Sequence, residues 1–389
     1  MNKGKFDFDT VVPRVGTGSV KWDIHPDVIP MWVADMDFKT APCIIEALHR
    51  RVDHGIFGYT HPLDGYYNAI IDWFAVRRGW NIQKDWIIPI SGLVPGLSVC
   101  IKALTSPGDG VVMVTPTYNC FFSSIRNTGA RLLGSPLLRE GNTFRVNWDE
   151  LEGLCADPGA RVLLLCNPQN PAGRVWTVDE LKHFGKLALK YGLYVISDEI
   201  HCELEMPGHK YIPFASLPEE LSSRCVSLVS PTKSFNIAGL QIANLVCRDP
   251  GMRACIDKVI NTWEHCDVNQ LGVVALQAAY SREGAAWIAE LNAYIWDNYL
   301  FLKETMAREL PDYPVMDLEG TYLVWIDCSA SKASTQQIQD ELLKTEKVWI
   351  NGGEMYGDGR YIRVNIACPR QTLTEGLSRM INGIKRLNK

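Results

Sequence analysis

The chain has 389 residues, 47% of them hydrophobic and 21% charged, which is ordinary for a soluble globular protein and excludes a disordered or fibrous one. That length exceeds a single core and predicts two domains. The net charge of −5 offers nucleic acid no basic footprint, and the longest apolar runs, such as VLLLC at 162–166, fall far short of the ~20 residues that span a bilayer.

The opening, MNKGKFDFDT, carries a charge every few residues and lacks the apolar stretch of a signal peptide. Twelve cysteines without a C-x-x-C pair fit neither a zinc site nor a disulfide framework and read as reduced core thiols of a cytoplasmic protein. Further on, short aliphatic runs at 86–90, 111–114, 161–166, 193–197 and 224–229 predict strands buried on both faces, as in a parallel sheet covered by helices. Between two of them, TVDELKHFGKLALKY (177–191) predicts a helix. Thr177 and Glu180 make a capping box, Leu181, Phe184, Ala188 and Tyr191 recur at helical spacing, and Gly192 supplies the stop. The C-terminal third changes character. Helices rich in Trp, Tyr and Leu over about 268–308 give way to a strand at 322–327, a helix near 335–344, strands near 348–350 and 361–366, and a closing helix. The expected fold class is therefore α/β, with a mostly parallel sheet in a large domain (45–285) and a smaller α+β domain formed by 1–44 and 286–389.

Ligands of open α/β sheets bind outside the carboxyl ends of the strands. Four predicted strands end in polar segments: Pro116-Thr117-Tyr118, Asn167 to Gly173 (NPQNPAG), Asp198-Glu199-Ile200-His201 and Ser230-Pro231-Thr232-Lys233. A fifth ends in Ser91-Gly92-Leu93 and runs into a helix. Parallel strands would bring all five to one edge. The helix start at Gly92 and Leu93, with the Ser230 and Thr232 hydroxyls, makes an anion site suited to a phosphate. A lysine in such a pocket has a lowered pKa and forms an imine with a carbonyl. A carboxylate keeps a pyridine nitrogen protonated, and a tyrosine stacks on the ring. Pyridoxal 5′-phosphate uses all of these groups.

On these residues the chain resembles, nearly end to end, the fold-type I pyridoxal-phosphate enzymes of the class I/II aminotransferase family, with the aspartate-aminotransferase fold. The resemblance implies that Asn170 and Asp198 contact the cofactor's ring hydroxyl and ring nitrogen and that Lys233 holds the cofactor as a Schiff base. Tyr118 matches the stacking residue, and His201 stands where aminotransferases usually keep a tyrosine. Tyr59, in FGYT, resembles the tyrosine that reaches the phosphate of a neighbouring subunit, which implies a homodimer with shared sites. Arg363, in YIRVN, matches the arginine that clamps the substrate α-carboxylate. Within the family, FDFDTVVPR, GSVKWD, PMWVADMDF (30–38), NPQNPAGRVW, DEIH and KSFNIAGLQ resemble the MalY/PatB-like C–S lyases, also called cystathionine β-lyases. That resemblance makes Val33 and Ala34 substrate contacts, with Asn170, and implies α,β-elimination from an S-substituted cysteine to thiol, pyruvate and ammonia. Transamination, of the amino-acid or histidinol-phosphate type, is the alternative, since it shares the same cofactor residues. Some members of the lyase subgroup also bind a transcription activator, a function of another class.

Two features depart from the family pattern. Gln241 stands where many aminotransferases place a phosphate-binding arginine, and MYGDGRYIR ahead of Arg363 is shorter than the family's glycine-rich hairpin. Other signals read as structural. Gly16-Thr17-Gly18 follows no strand, Thr232 replaces the glycine that a P-loop needs before Lys233-Ser234, and His265-Cys266 lacks partners at metal-ligand spacing. Trp73, Trp287 and Trp296 are expected as core or interface anchors. Singly, each site residue has a bland explanation; their joint order at strand ends carries the functional reading.

Overall fold

A computed structural model describes residues 4–388. Its centre is a seven-stranded sheet built from β1 (Ile87–Ile90), β2 (Gly110–Thr115), β3 (Arg131–Pro136), β4 (Ala160–Cys166), β5 (Tyr194–Asp198), β6 (Cys225–Val229) and β7 (Ala243–Cys247). The spatial order is β1-β7-β6-β5-β4-β2-β3. Strand β7 runs antiparallel to both neighbours, so β1 keeps the sense of the parallel strands beyond it.

Strand alternation divides the core by residue parity. Val111, Met113, Val162 and Leu164 pack on one face under Leu97 and Ile101 of the helix Leu93–Leu104. Val112, Val114, Leu163 and Leu165 pack on the other, under Leu181, Phe184 and Ala188 of the helix Val178–Tyr191. Burying a side chain of this size stabilises by roughly 1.5–3 kcal/mol before the entropy of ordering it is counted. The second helix starts on a complete Thr177–Glu180 capping box and stops at Gly192 with φ 68°, as its sequence predicts. Strands β3 and β7 were not legible. Strand β3 is an edge with only Ser135 buried, so it carries no apolar run. Strand β7 includes Asn244, whose amide oxygen accepts a hydrogen bond from the buried Tyr66 hydroxyl at 2.8 Å.

The C-terminal region adds an antiparallel sheet, β8 (Leu323–Asp327), β9 (Asn351–Gly352) and β10 (Tyr361–Asn365), with β10 in the middle. The strand expected near 348–350 is divided: Val348–Trp349 pairs in parallel with Ile29–Pro30, while Asn351–Gly352 joins β10. The helical stretch at 268–308 is two helices, Gln270–Ala279 and Arg282–Glu309, because Ser281 caps the second. That second helix passes the expected domain boundary at 285/286 without a break. No helix among the described residues is long and apolar enough to cross a membrane.

Candidate active site

The parallel sense of β1, β2, β4, β5 and β6 brings their carboxyl ends to one edge of the sheet. Lys233 lies on the loop after β6, and its Nζ donates to the Ala34 carbonyl at 2.6 Å. The Tyr322 hydroxyl donates to the same carbonyl at 3.1 Å. Desolvation pulls the Lys233 amine down to about 8; the Asp35 carboxylate opposes this and Arg363 reinforces it. An amine at this level is a nucleophile and a base near neutral pH.

Asp198 ends β5, buried, and its side chain accepts one hydrogen bond, from the Ile200 amide at 3.1 Å. Burial raises its carboxyl to about 7, with the Glu199 charge adding to the rise and Lys233 opposing it. His201 is buried on the turn that follows, and its Nδ1 has no partner among the described residues. Burial first, then the positive charges of Lys233 and Arg363, lower this imidazole to about 3, so it is neutral. Tyr118 stands at the start of the helix Asn119–Asn127 with its ring edge-on to Phe121.

At the expected anion site, Gly92 takes φ 97°, a conformation natural to glycine, and the helix Leu93–Leu104 begins without a side-chain cap. Its first N–H groups therefore remain free for an anion. The two hydroxyls differ in what they can offer. Ser230 Oγ donates to the Ile242 carbonyl at 2.6 Å and accepts from the Thr232 amide at 3.1 Å. Its single proton is thus committed, and in the 2.7 Å contact between the two hydroxyls Thr232 is the donor. Only Thr232 can turn its proton toward an anion. Gln241 is exposed, with φ 45°. Tyr59 is 99% exposed and stands outside this group of residues.

Arg363 sits on β10, buried, with Nη1 donating to Asn170 Oδ1 at 3.1 Å and Nη2 to the Trp32 carbonyl at 2.8 Å. Its guanidinium lies 4.4 Å from the Tyr356 ring centre, and Nε has no partner among the described residues. Asn365, two residues along the same strand, donates to the carbonyls of Val33 and Asp35 at 2.6 and 2.7 Å. Sequence reasoning missed Asn365, although the period of two that places Arg363 inward places it there too. Tyr322 and Asn236 were also missed. Asn236 takes φ 54° and grips the Met36 amide and the carbonyls of Met36 and Phe38. Nothing local in the sequence announces either residue.

These groups fit pyridoxal phosphate. The Lys233 amine suits the aldehyde, the singly bonded Asp198 suits the ring nitrogen, and the uncapped helix start suits the phosphate. A parallel α/β sheet with an enclosed amine, a buried carboxyl and a buried arginine gathered at its carboxyl edge defines a scaffold for chemistry on carbonyl and carboxylate groups. The chain belongs to the class I and II aminotransferase family, whose model matches residues 26–380. It is 38% identical over 382 residues to the cystathionine β-lyase PatB of Bacillus subtilis, covering 96% of this chain and 98% of that protein. To protein MalY of Escherichia coli it is 33% identical over 392 residues, covering 98% and 99%. The solved structure of cystalysin from Treponema denticola, which contains pyridoxal 5′-phosphate, superposes with a TM-score of 0.95 at 34% identity, covering 98% and 99%.

Proposed function

We propose that this chain is a pyridoxal-phosphate-dependent C–S lyase that eliminates the thiol from an S-substituted L-cysteine such as cystathionine. The observation that carries the reading is the pairing of a Lys233 amine held near 8 with a buried Arg363 whose Nε is unpartnered, the two bonded to the Ala34 and Trp32 carbonyls of one segment. The lyase relatives and the cystalysin structure choose elimination over transamination. When bound, the cofactor stabilises negative charge at the amino acid's α-carbon. Arg363 grips the α-carboxylate through paired N–H donors, with Asn170 orienting the guanidinium. The Lys233 amine would hold the cofactor at rest and, once freed by the substrate, its Nζ would take the α-proton as general base. Asp198 would hold the proton at the ring nitrogen, and neutral His201 and Tyr118 would flank the ring. Val33 and Ala34 line the carboxylate side. The thiolate then leaves the β-carbon, and hydrolysis yields pyruvate and ammonia.

The working unit in this reading is a homodimer, in which Tyr59 of one protomer reaches the anion site of the other. Its support is the apolar surface around Tyr59, with Ile56 65%, Phe57 58% and Leu63 73% exposed. The two bodies flanking the cleft are 45–285, which carries Lys233, Asp198 and Asn170, and 1–44 with 286–389, which carries Arg363 and segment 31–36. All twelve cysteines are free, eight of them buried, which suits a cytoplasmic enzyme.

The test is incubation of cofactor-loaded protein with L-cystathionine and no 2-oxo acid. Equal amounts of pyruvate and thiol over many turnovers are expected. If pyruvate is absent, and an added 2-oxo acid lets the protein consume an amino acid, the chain is an aminotransferase.

A further inference from the structure

Segment 32–36 is held almost entirely through its own carbonyls. The Trp32 carbonyl accepts from Arg363 and Asn351, and that of Val33 accepts from Asn365. The Ala34 carbonyl accepts from Lys233 and Tyr322, and that of Asp35 accepts from Asn365 and Lys21. The Met36 carbonyl accepts from Asn236 and Arg14. Five consecutive carbonyls thus orient side chains, and those that hold Arg363 and Lys233 are two residues apart. A strap of this kind positions the two groups only as well as it is itself fixed.

Its acidic side chains are clamped by the N-terminal segment. Asp37 accepts from Lys21 Nζ at 2.9 Å, Arg14 Nη1 at 2.7 Å and Trp22 Nε1 at 2.8 Å. Asp35 accepts from Arg14 Nη2 at 2.8 Å, and Lys21 Nζ stands 3.4 Å from its other oxygen. Lys21 is 2% exposed and Asp37 6%. Burying Lys21 with Asp37, beside the partly exposed Arg14 and Asp35, costs more solvation than apolar packing of the same volume, so stability alone does not call for this cluster. What the cluster uniquely supplies is a fixed position and a balanced charge behind Lys233.

We propose that the cluster Arg14–Lys21–Asp35–Asp37 is a positioning device for the reaction, holding segment 32–36 so that Lys233 and Arg363 face the substrate together. The role rests on the lyase reading for what Lys233 and Arg363 do, while the geometry of the clamp does not. Lys233 is faced by the charges of Asp35, Arg363 and Asp198 and by the Cys120 thiol, and of these Asp35 is the strongest. Arg14 and Lys21 screen Asp35. Removing Asp35 therefore favours the neutral amine, whereas removing Lys21 or Arg14 favours the charged one.

The experiment uses the full-length chain freed of cofactor and treated with potassium cyanate. Peptide mass mapping follows carbamylation of Lys233 from pH 6.5 to 9.5, and far-UV circular dichroism reports the fold. At pH 6.5, Asp35→Asn should label about threefold faster than wild type and Lys21→Met about threefold slower, the rate ratio of roughly half a pKa unit. Loosening of the strap alone would move both variants the same way. Shifts of one sign, or no shift in either, overturn the proposal. Should Lys21→Met fail to fold, Arg14→Gln, at a half-buried position, takes its place with the same expected slowing, and its failure to slow labelling overturns the proposal equally. In cofactor-loaded protein, the KM for cystathionine should rise at least about fivefold in Arg14→Gln, as Arg363 loses its register. An unchanged KM overturns the positioning of Arg363. The labelling needs no turnover, so it still reads out if the lyase assignment itself fails.

Discussion

At the scale of single residues, Arg363 and His201 show two opposite consequences of burial. Arg363 spends two of its donors on Asn170 and the Trp32 carbonyl, and Nε is left over. In its proposed role, replacing it with Ala would remove a charge-assisted carboxylate contact of about 3 kcal/mol, so KM for an amino-acid substrate should rise roughly 10²-fold. Steady-state kinetics with cystathionine checks this, and an unchanged KM removes Arg363 from the carboxylate site. His201 has the opposite character, kept neutral because its charged form is penalised. Its folded pKa of about 3 lies below the ordinary 6.5. It therefore contributes stability that is fully present above pH 6.5 and lost as pH falls toward 3. Asp198 and Glu199, raised to about 7, act with the opposite sign over the upper part of that range. Comparing wild type with His201→Asn isolates the imidazole. The melting temperature of the variant should fall less between pH 6.5 and 4.5, by up to about 1.4 kcal/mol of stability per pH unit.

At the scale of elements, two glycines with nearly the same backbone angle separate conformational need from close packing. Gly192 ends the helix Val178–Tyr191 at φ 68°, and a Cβ there would meet only Arg224 Nη1 at 3.6 Å. Gly173 closes the NPQNPAG loop at φ 73°, where a Cβ would lie 3.0 Å from the Asp317 carbonyl oxygen. Gly192→Ala should cost about 1 kcal/mol in urea unfolding and leave activity alone. Gly173→Ala adds a backbone clash to the same strain and should cost about 2–3 kcal/mol. Its neighbour Arg174 bonds Glu319, and Asn170 orients Arg363, so the displaced loop should also lower turnover. Equal losses in the two variants would mean that the loop yields freely around the Asp317 carbonyl.

At the scale of the whole molecule, Val52, Ile56, Phe57, Tyr59 and Leu63 are all exposed within twelve residues, and the proposed dimer would cover them. Phe57→Glu places a charge in the proposed dimer contact. Sedimentation velocity should show wild type at twice the chain mass and the variant at once, with loss of lyase activity because Tyr59 no longer reaches its site. A wild-type monomer with full activity would end the shared-site reading. The same scale explains how the candidate site is assembled. Lys233, Asp198 and Asn170 hang from the central sheet, Arg363 hangs from β10, and segment 31–36 touches both sets through main-chain carbonyls. The site exists only when these parts of the chain meet.

Local chemistry in the sequence was sufficient for the parallel strands, the capped helix 178–191 and the polar strand ends, because apolar runs, capping residues and strand-end positions are short-range signals. Asn170, Asp198 and Lys233 could therefore be singled out as candidates before any fold was known, whereas Arg363 was reached only through the family resemblance. The edge strand β3 and the polar-bearing β7 escaped, because an exposed edge needs no apolar run and Asn244 is tolerated only through a Tyr66 178 residues away. Tyr322, Asn236 and the Arg14–Lys21 clamp escaped for the same reason, since each acts through a partner that only folding brings near. Composition and spacing set which elements form and which residues carry chemistry. Only the tertiary structure decided which donor meets which carbonyl, because burial and hydrogen-bond partnership belong to the folded whole and to no single stretch of chain.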